Sequence, residues 1–285
     1  MSVLQNFVSG LNVSALLMVA ALGLVVIFGL MKVINMAHGE LIMIGAYMTY
    51  GTTTVLAWPF AAGMFMAFLS TAWIGIMMER LILKKLYAKP TETLLATYAI
   101  SLMLERVIYF FYGAETKFVA MPIPGLLEIG GITMPYYNMF IILFSLLLLF
   151  FTLYLFKYTN FGKKVRAITQ NRMMSACLGI ETANVDTWTF GYGAGLAGLA
   201  GALLAPVISV TPGLGAPYLT ESFMTVVVGG VQSVIGTALG SVIIGEMRTV
   251  LGGFTNTVMA KIIVFVIIII VIRFKPEGLF VTERR

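Results

Sequence analysis

The chain has 285 residues, 60% of them hydrophobic and only 11% charged, with a mean hydropathy of +0.98. A soluble domain carries about 25% charged residues, so the composition excludes a water-exposed globular surface. It points to an all-α, polytopic integral membrane protein, a single transmembrane domain over 1–285. The net charge of +6 does not imply nucleic acid, because the cations lie in short runs between apolar segments rather than in one patch.

Apolar segments run roughly over 11–31, 41–57, 59–83, 93–112, 137–156, 186–210, 221–247 and 257–273. At about 20 residues per span the length holds eight or nine membrane segments. The first 31 residues contain no Lys or Arg. The first run therefore lacks the basic lead of a signal peptide and is expected to be a retained span.

Next comes "KVINMAHGELIMIGAY", which starts at Lys32 and holds the only histidine. It sets Asn35, His38 and Glu40 close together in apolar surroundings. Two readings stay open. The group is a polar lining or hinge beside a transport path, since ionisable residues inside membranes are costly and usually functional. Alternatively, it reaches the cytoplasmic interface, where Lys32 and Glu40 are wet. A metal site is not supported, because no second histidine stands at ligand spacing and Cys177 is the only cysteine. Cys177 itself reads as a small buried or partly buried residue.

Three basic stretches follow in order: Arg80, Lys84, Lys85 and Lys89; Lys157 to Arg172; and Arg273, Lys275, Arg284 and Arg285. The excess of Lys and Arg in cytoplasmic loops places all three inside. The Pro- and Gly-rich 113–136 then becomes the longest external connection. Glu105 and Arg106, late in the fourth span, are expected in an interfacial or paired structural role.

"FGKKVRAITQNRMMSACLGIETANVD", from Phe161 to Asp186, is long and basic. Lys163 to Leu178 lacks Gly and Pro and predicts a short helix that Gly179 stops. It lies on anionic lipid or is presented to a cytoplasmic partner. "GYGAGLAGLAG" has the glycine spacing of a dinucleotide fingerprint but no strand before it. The GxxxG pairs Gly191/Gly195 and Gly236/Gly240 instead predict close helix packing.

Glu221 opens an apolar run, either as an acidic residue at a helix N-terminus or as a gate at the external mouth. Returning Arg273 to the cytoplasm requires the run 221–247 to be split. Gly229, Gly230, Gln232 and Ser233 mark the place. Such breaks are tolerated where protein or a water-filled cavity covers the freed backbone, and they often mark a substrate path. Asn35, His38, Glu40, Gly229, Gly230 and Ser233 are therefore the candidate pathway or hinge residues.

"VINMAHGE", "TETLLATYAISLMLE", "RAITQNRMMSACLGI" and "SFMTVVVGGVQSVIGTALGS" together carry a family resemblance over almost the whole chain. The chain resembles the permease subunits of the branched-chain amino acid ATP-binding cassette transporter family. Within that family it looks most like the urea-type first permease, because "TQNR" (Thr169 to Arg172) lacks the acidic residue that amino acid members carry near Asn171. Gln232 departs from the family pattern, which often has a further glycine nearby.

The resemblance implies a cytoplasmic coupling segment at about 161–182, with Arg166, Ala167, Gln170, Asn171, Arg172, Ala176 and Gly179 facing an ATPase. It implies a homologous second permease subunit, two cytoplasmic ATP-binding subunits and a periplasmic substrate-binding protein, in a bacterial inner membrane. ATP and Mg belong to the partners. The chain carries no GxxxxGK[ST] loop, so no cofactor and no enzyme activity are expected in it. The expected function is import of urea or a short amide. A branched-chain amino acid permease is the alternative, and a passive urea channel is the reading from another class.

Overall fold

The computed structural model describes residues 3–87, 89–129, 132–275 and 277–280. Arg284 and Arg285 lie outside the described residues. The chain forms α1 (Val3–Leu24), α2 (His38–Tyr50), α3 (Phe60–Leu81), α4 (Pro90–Tyr112) and α5 (Tyr136–Tyr158). Then come α6 (Asn160–Gln170), α7 (Arg172–Cys177), α8 (Thr182–Leu204), α9 (Gly215–Gly229), α10 (Val234–Phe254) and α11 (Thr257–Phe274). Wider π-helical turns extend α1 over Val25–Leu30 and α2 over Gly51–Val55. A two-stranded hairpin, β1 (Leu126–Ile129) and β2 (Ile132–Pro135), precedes α5.

Orientation follows from three contacts and the cation bias. Gln5, at the start of α1, exchanges two hydrogen bonds with the Thr133 backbone in the hairpin. At the other end of α1, the Leu30 carbonyl accepts from the Thr169 hydroxyl at 2.8 Å, within the basic α6. Lys117 pairs with Val210, tying the 113–125 loop to the outer end of α8. With the basic segment inside, α1 runs inward, and among the described residues α1 to α5 and α8 to α11 form the bundle, in which α2 and α9, at 13 and 15 residues, are too short to cross by themselves. The chain is thus the expected all-α polytopic protein, and the split in 221–247 falls where parity requires it, between α9 and α10.

Among the described residues, six helices are long and apolar enough to span a membrane by themselves. The helices α2, α8 and α9 fall outside that set and occupy the interior. α8 is the hub, almost wholly buried from Val185 to Leu204. Its glycines leave no room for a Cβ on three sides. Gly191 and Gly195 meet Ile76 and Phe68 of α3, Gly193 meets Gly23 and Ile27 of α1, and Gly201 meets the Ile42 backbone of α2. Gly236 and Gly240 press on Gly229 of α9 in the same way. The small-residue pattern is therefore packing, as expected from its spacing.

The expected helix from Lys163 to Leu178 is two helices. Asn171 is extended between α6 and α7, and its side chain accepts from the Met174 amide at 2.9 Å. A side-chain cap of this kind favours starting a new helix over continuing the old one. Gly179, with φ +82°, ends α7 as expected.

Candidate functional site

The first candidate cluster is built on a chain reversal. The His38 imidazole lies 3.0 Å from the Ala20 carbonyl, so Nε2 carries the proton and donates. Ala20 stands ten residues before Leu30, about 15 Å from the inner end of α1 at 1.5 Å rise per residue. The seven residues 31–37 therefore turn back into the bundle before α2 begins.

Neighbours satisfy much of this irregular backbone. Asn35 Oδ1 accepts from the Ala37 amide at 3.1 Å, and the Asn35 carbonyl accepts from the His38 amide. Thr97 of α4 accepts from the Met36 amide at 3.2 Å, and Ser101 donates to Glu40 Oε1 at 3.3 Å. Buried protein partners are what such backbone requires inside a membrane.

Asn35, His38 and Glu40 are all buried, whereas Lys32 is exposed. The reading that left Glu40 wet at the interface is therefore corrected, because the reversal carries it inward to α4. Asn35 Nδ2, His38 Nδ1 and Glu40 Oε2 have no hydrogen-bond partner among the described residues. Beside them Gly39 meets Gly215, so the N-termini of α2 and α9 abut. Sequence reading missed Thr97 and Ser101. Their signal was the four-residue spacing of Thr93, Thr97, Ser101 and Glu105 along one face of an otherwise apolar helix.

The second break does not join the first. Gly230 (φ +103°) ends α9, and the Ser233 side chain accepts from the Gly236 amide at 2.9 Å to start α10. This turn lies at the inner face, where Gly29 of the α1 extension packs on Val231. The C-terminal segment covers it, with the Leu279 amide donating to the Val228 carbonyl at 2.8 Å. Gly229, Gly230 and Ser233 are thus an inner turn, separated from Asn35, His38 and Glu40 by most of α9.

The coupling candidates divide by geometry. Gln170, Ala176 and Gly179 are exposed. The Arg166 guanidinium donates to the Phe156 and Lys157 carbonyls, closing the C-terminus of α5. Ala167 is half-buried, and Asn171 is the cap described above. Arg172 points inward. Its guanidinium lies 2.6 Å from Asp186 Oδ2, an ion pair without linear hydrogen-bond geometry, and 4.9 Å over the Tyr87 ring. Tyr87 donates to Glu79 Oε1 at 2.9 Å, and the Thr187 hydroxyl donates to Glu79 Oε2. One of the coupling candidates thus reaches α8 directly and α3 through Tyr87.

Around that tie, Met173, Met174 and Leu178 are exposed at 82%, 58% and 75%. Cys177 is exposed with them, which corrects the expectation of a buried thiol. Together they form an exposed apolar knob on a short polar segment.

Glu221 is not at a helix start, because α9 begins at Gly215. It is buried, with Oε2 3.0 Å from Arg248 and Oε1 2.8 Å from Lys261. Glu105 is half-buried near the Gly213 turn, and Arg106 is exposed. Among the described residues no cluster of three or more His, Cys, Asp or Glu is placed to hold a metal.

The family model for the permease component of branched-chain amino acid transport systems matches residues 6–272. The chain belongs to this family. It is 26% identical to the high-affinity branched-chain amino acid transport system permease protein BraD of Pseudomonas aeruginosa, over 97% of this chain and 95% of that protein. It is also 26% identical to the corresponding LivH of Escherichia coli K12, over 97% and 94%. A probable LivH of Methanocaldococcus jannaschii is 27% identical over 93% and 89%. No solved structure matches. The chain is a multi-pass inner-membrane permease subunit and not itself an enzyme.

The family member's reversal gives a direct expectation for its histidine. His38→Gln keeps a donor within reach of the Ala20 carbonyl and is expected to transport within about twofold of wild type. His38→Leu removes the donor beside a buried acceptor and is expected to lower stability by about 1–3 kcal/mol. Uptake assays of His38→Gln and thermal unfolding of both purified variants check this.

Proposed function

We propose that the chain is the permease subunit of an ATP-driven importer for branched-chain amino acids. The observation that carries this is similarity over nearly the full length to permeases named for those substrates. The urea reading finds no support in these relatives, and the alternative drawn from the sequence takes its place. The TQNR string that suggested urea forms a helix cap and an internal ion pair at the inner face.

The geometry at the reversal is compatible with a zwitterion. The abutting N-termini of α2 and α9 favour a carboxylate. Glu40, with one oxygen unpartnered, favours an ammonium group. Opening of the α2–α4–α9 junction would uncover both. A neutral urea molecule needs neither.

In this reading, a cytoplasmic ATPase seats on Met173, Met174, Cys177 and Leu178. Its movement displaces α6 and α7. Thr169 passes that displacement to the inner end of α1 through Leu30. Arg172 passes it to α8 through Asp186 and to α3 through Tyr87 and Glu79. Both α1 and α8 border His38, so the two ties converge on the reversal. A second permease and an external binding protein complete the assembly.

Uptake of labelled leucine and labelled urea into vesicles carrying the whole importer tests the substrate. Leucine uptake that depends on ATP and on the binding protein supports the proposal. ATP-dependent urea uptake without leucine uptake would return the urea reading, and urea flux without ATP would mean a channel. Leu178→Asp, at the exposed knob, is expected to cut ATPase co-purification about tenfold while leaving the permease inserted, as removal of one apolar anchor does.

A further inference from the structure

Glu221, Arg248 and Lys261 form a charged group that the transport reading does not use. Arg248 lies within two turns of the outer end of α10, and Lys261 is in the second turn of α11 from its outer end. As an ion, the single carboxylate cancels only one of the two cations, leaving a net positive charge among apolar side chains. Each cation spends one contact on Glu221, and its remaining N–H donors have no partner among the described residues. The Arg248 and Lys261 side chains are 22% and 35% exposed, so those donors open outward from the bundle. An uncompensated charge at this depth is expensive and calls for a counter-charge.

The same two cations rim a crevice between α1, α9, α10 and α11. Leu17, Met224, Ile244, Val264 and Phe265 line it. The face outside the crevice is apolar too: Val250, Val258, Ile262 and Val266 are exposed. Lys261 is the only ionisable residue from 255 to 272. The exposed apolar side chains suit acyl chains, and the two part-exposed cations beside them suit a phosphate.

We propose that Arg248, Lys261 and the exposed apolar face beside them form a binding site for an anionic glycerophospholipid. Arg248 and Lys261 hold the phosphate, and the acyl chains lie along the exposed Val250, Val258, Ile262 and Val266. The single negative charge of a phosphatidylglycerol headgroup matches the residual positive charge. Zwitterionic phosphatidylethanolamine brings its own cation and does not.

The test is native mass spectrometry of the purified full-length chain, offered equal amounts of phosphatidylglycerol and phosphatidylethanolamine. Wild type is expected to retain phosphatidylglycerol about tenfold over phosphatidylethanolamine, the size of one charge-assisted hydrogen bond. Lys261→Met should abolish the preference, Lys261→Arg should keep it, and Lys84→Met, at the inner face, should leave it intact. Equal retention by wild type, or a preference that survives in Lys261→Met, would overturn the proposal. If Lys261→Met does not fold, loss of the preference in Lys261→Arg would overturn it as well. Displacement by inorganic phosphate would mark a small-anion site in place of a lipid site. Carbodiimide capture of Lys261 by a second permease in the assembled importer would mark a subunit contact. Either result rejects the lipid assignment and leaves the transport reading untouched.

Discussion

Gly230→Leu is expected to abolish uptake and to lower the yield of folded protein. Gly230 has φ +103°, a backbone conformation that L side chains avoid, at a cost of about 1–3 kcal/mol. Gly278 packs closely on this turn, since a Cβ placed on Gly278 would meet the Gly230 Cα and N. The strain falls on the turn that fixes α9 against α10 and seats the C-terminal segment on Val228. Uptake assays and thermal unfolding in detergent measure both effects. Wild-type melting together with wild-type uptake would contradict the geometry described for this turn.

The second large effect is expected at Arg172 and Asp186. Arg172→Ala leaves Asp186 only 4% exposed and without its cation. Losing one member of a fully buried pair costs about 3–5 kcal/mol. The Arg172 side chain is 45% exposed, and water reaches it, so about 1–2 kcal/mol is the better expectation. The functional loss should exceed the stability loss. Uptake is expected to fall at least tenfold while the ATPases still hydrolyse, because α7 can then move without α8. Asp186→Asn in the Arg172→Ala background should add little, since the tie is already broken. A double-mutant cycle on uptake reads this non-additivity. Strictly additive losses would mean that the two residues act separately and that Arg172 is no tie.

Arg172 also shows where the sequence stopped being informative. Its place in a basic, polar stretch suggested an outward-facing cation. Nothing linear connects it to Tyr87 or Glu79, which lie more than eighty residues earlier. Arg166 fails in the same way, because closing the end of α5 depends on the sharp turn at Thr159. The exposed Met173, Met174 and Leu178 were legible as residues but not as a surface, since apolar side chains in a greasy chain look like core until their neighbours are placed.

The opposite holds for the glycines. Gly191, Gly195, Gly236 and Gly240 were readable because close helix approach needs small residues at one-turn spacing whatever the partner is. The break at Gly229 and Gly230 was readable from charge parity, which required a split, and from the Gly and polar residues that interrupt the run.

The sequence by itself determined a multi-spanning helical membrane protein, the split before α10 and the family. Each of these follows from local hydropathy, cation bias or motif, which are sums over neighbouring residues. Only the tertiary structure decided that 31–37 turns back to bury Glu40 and His38, that Glu221 holds two cations, and that Arg172 faces inward. Those outcomes depend on which distant helices offer a carbonyl, a hydroxyl or a counter-charge, and inside a membrane a polar group goes where such a partner is.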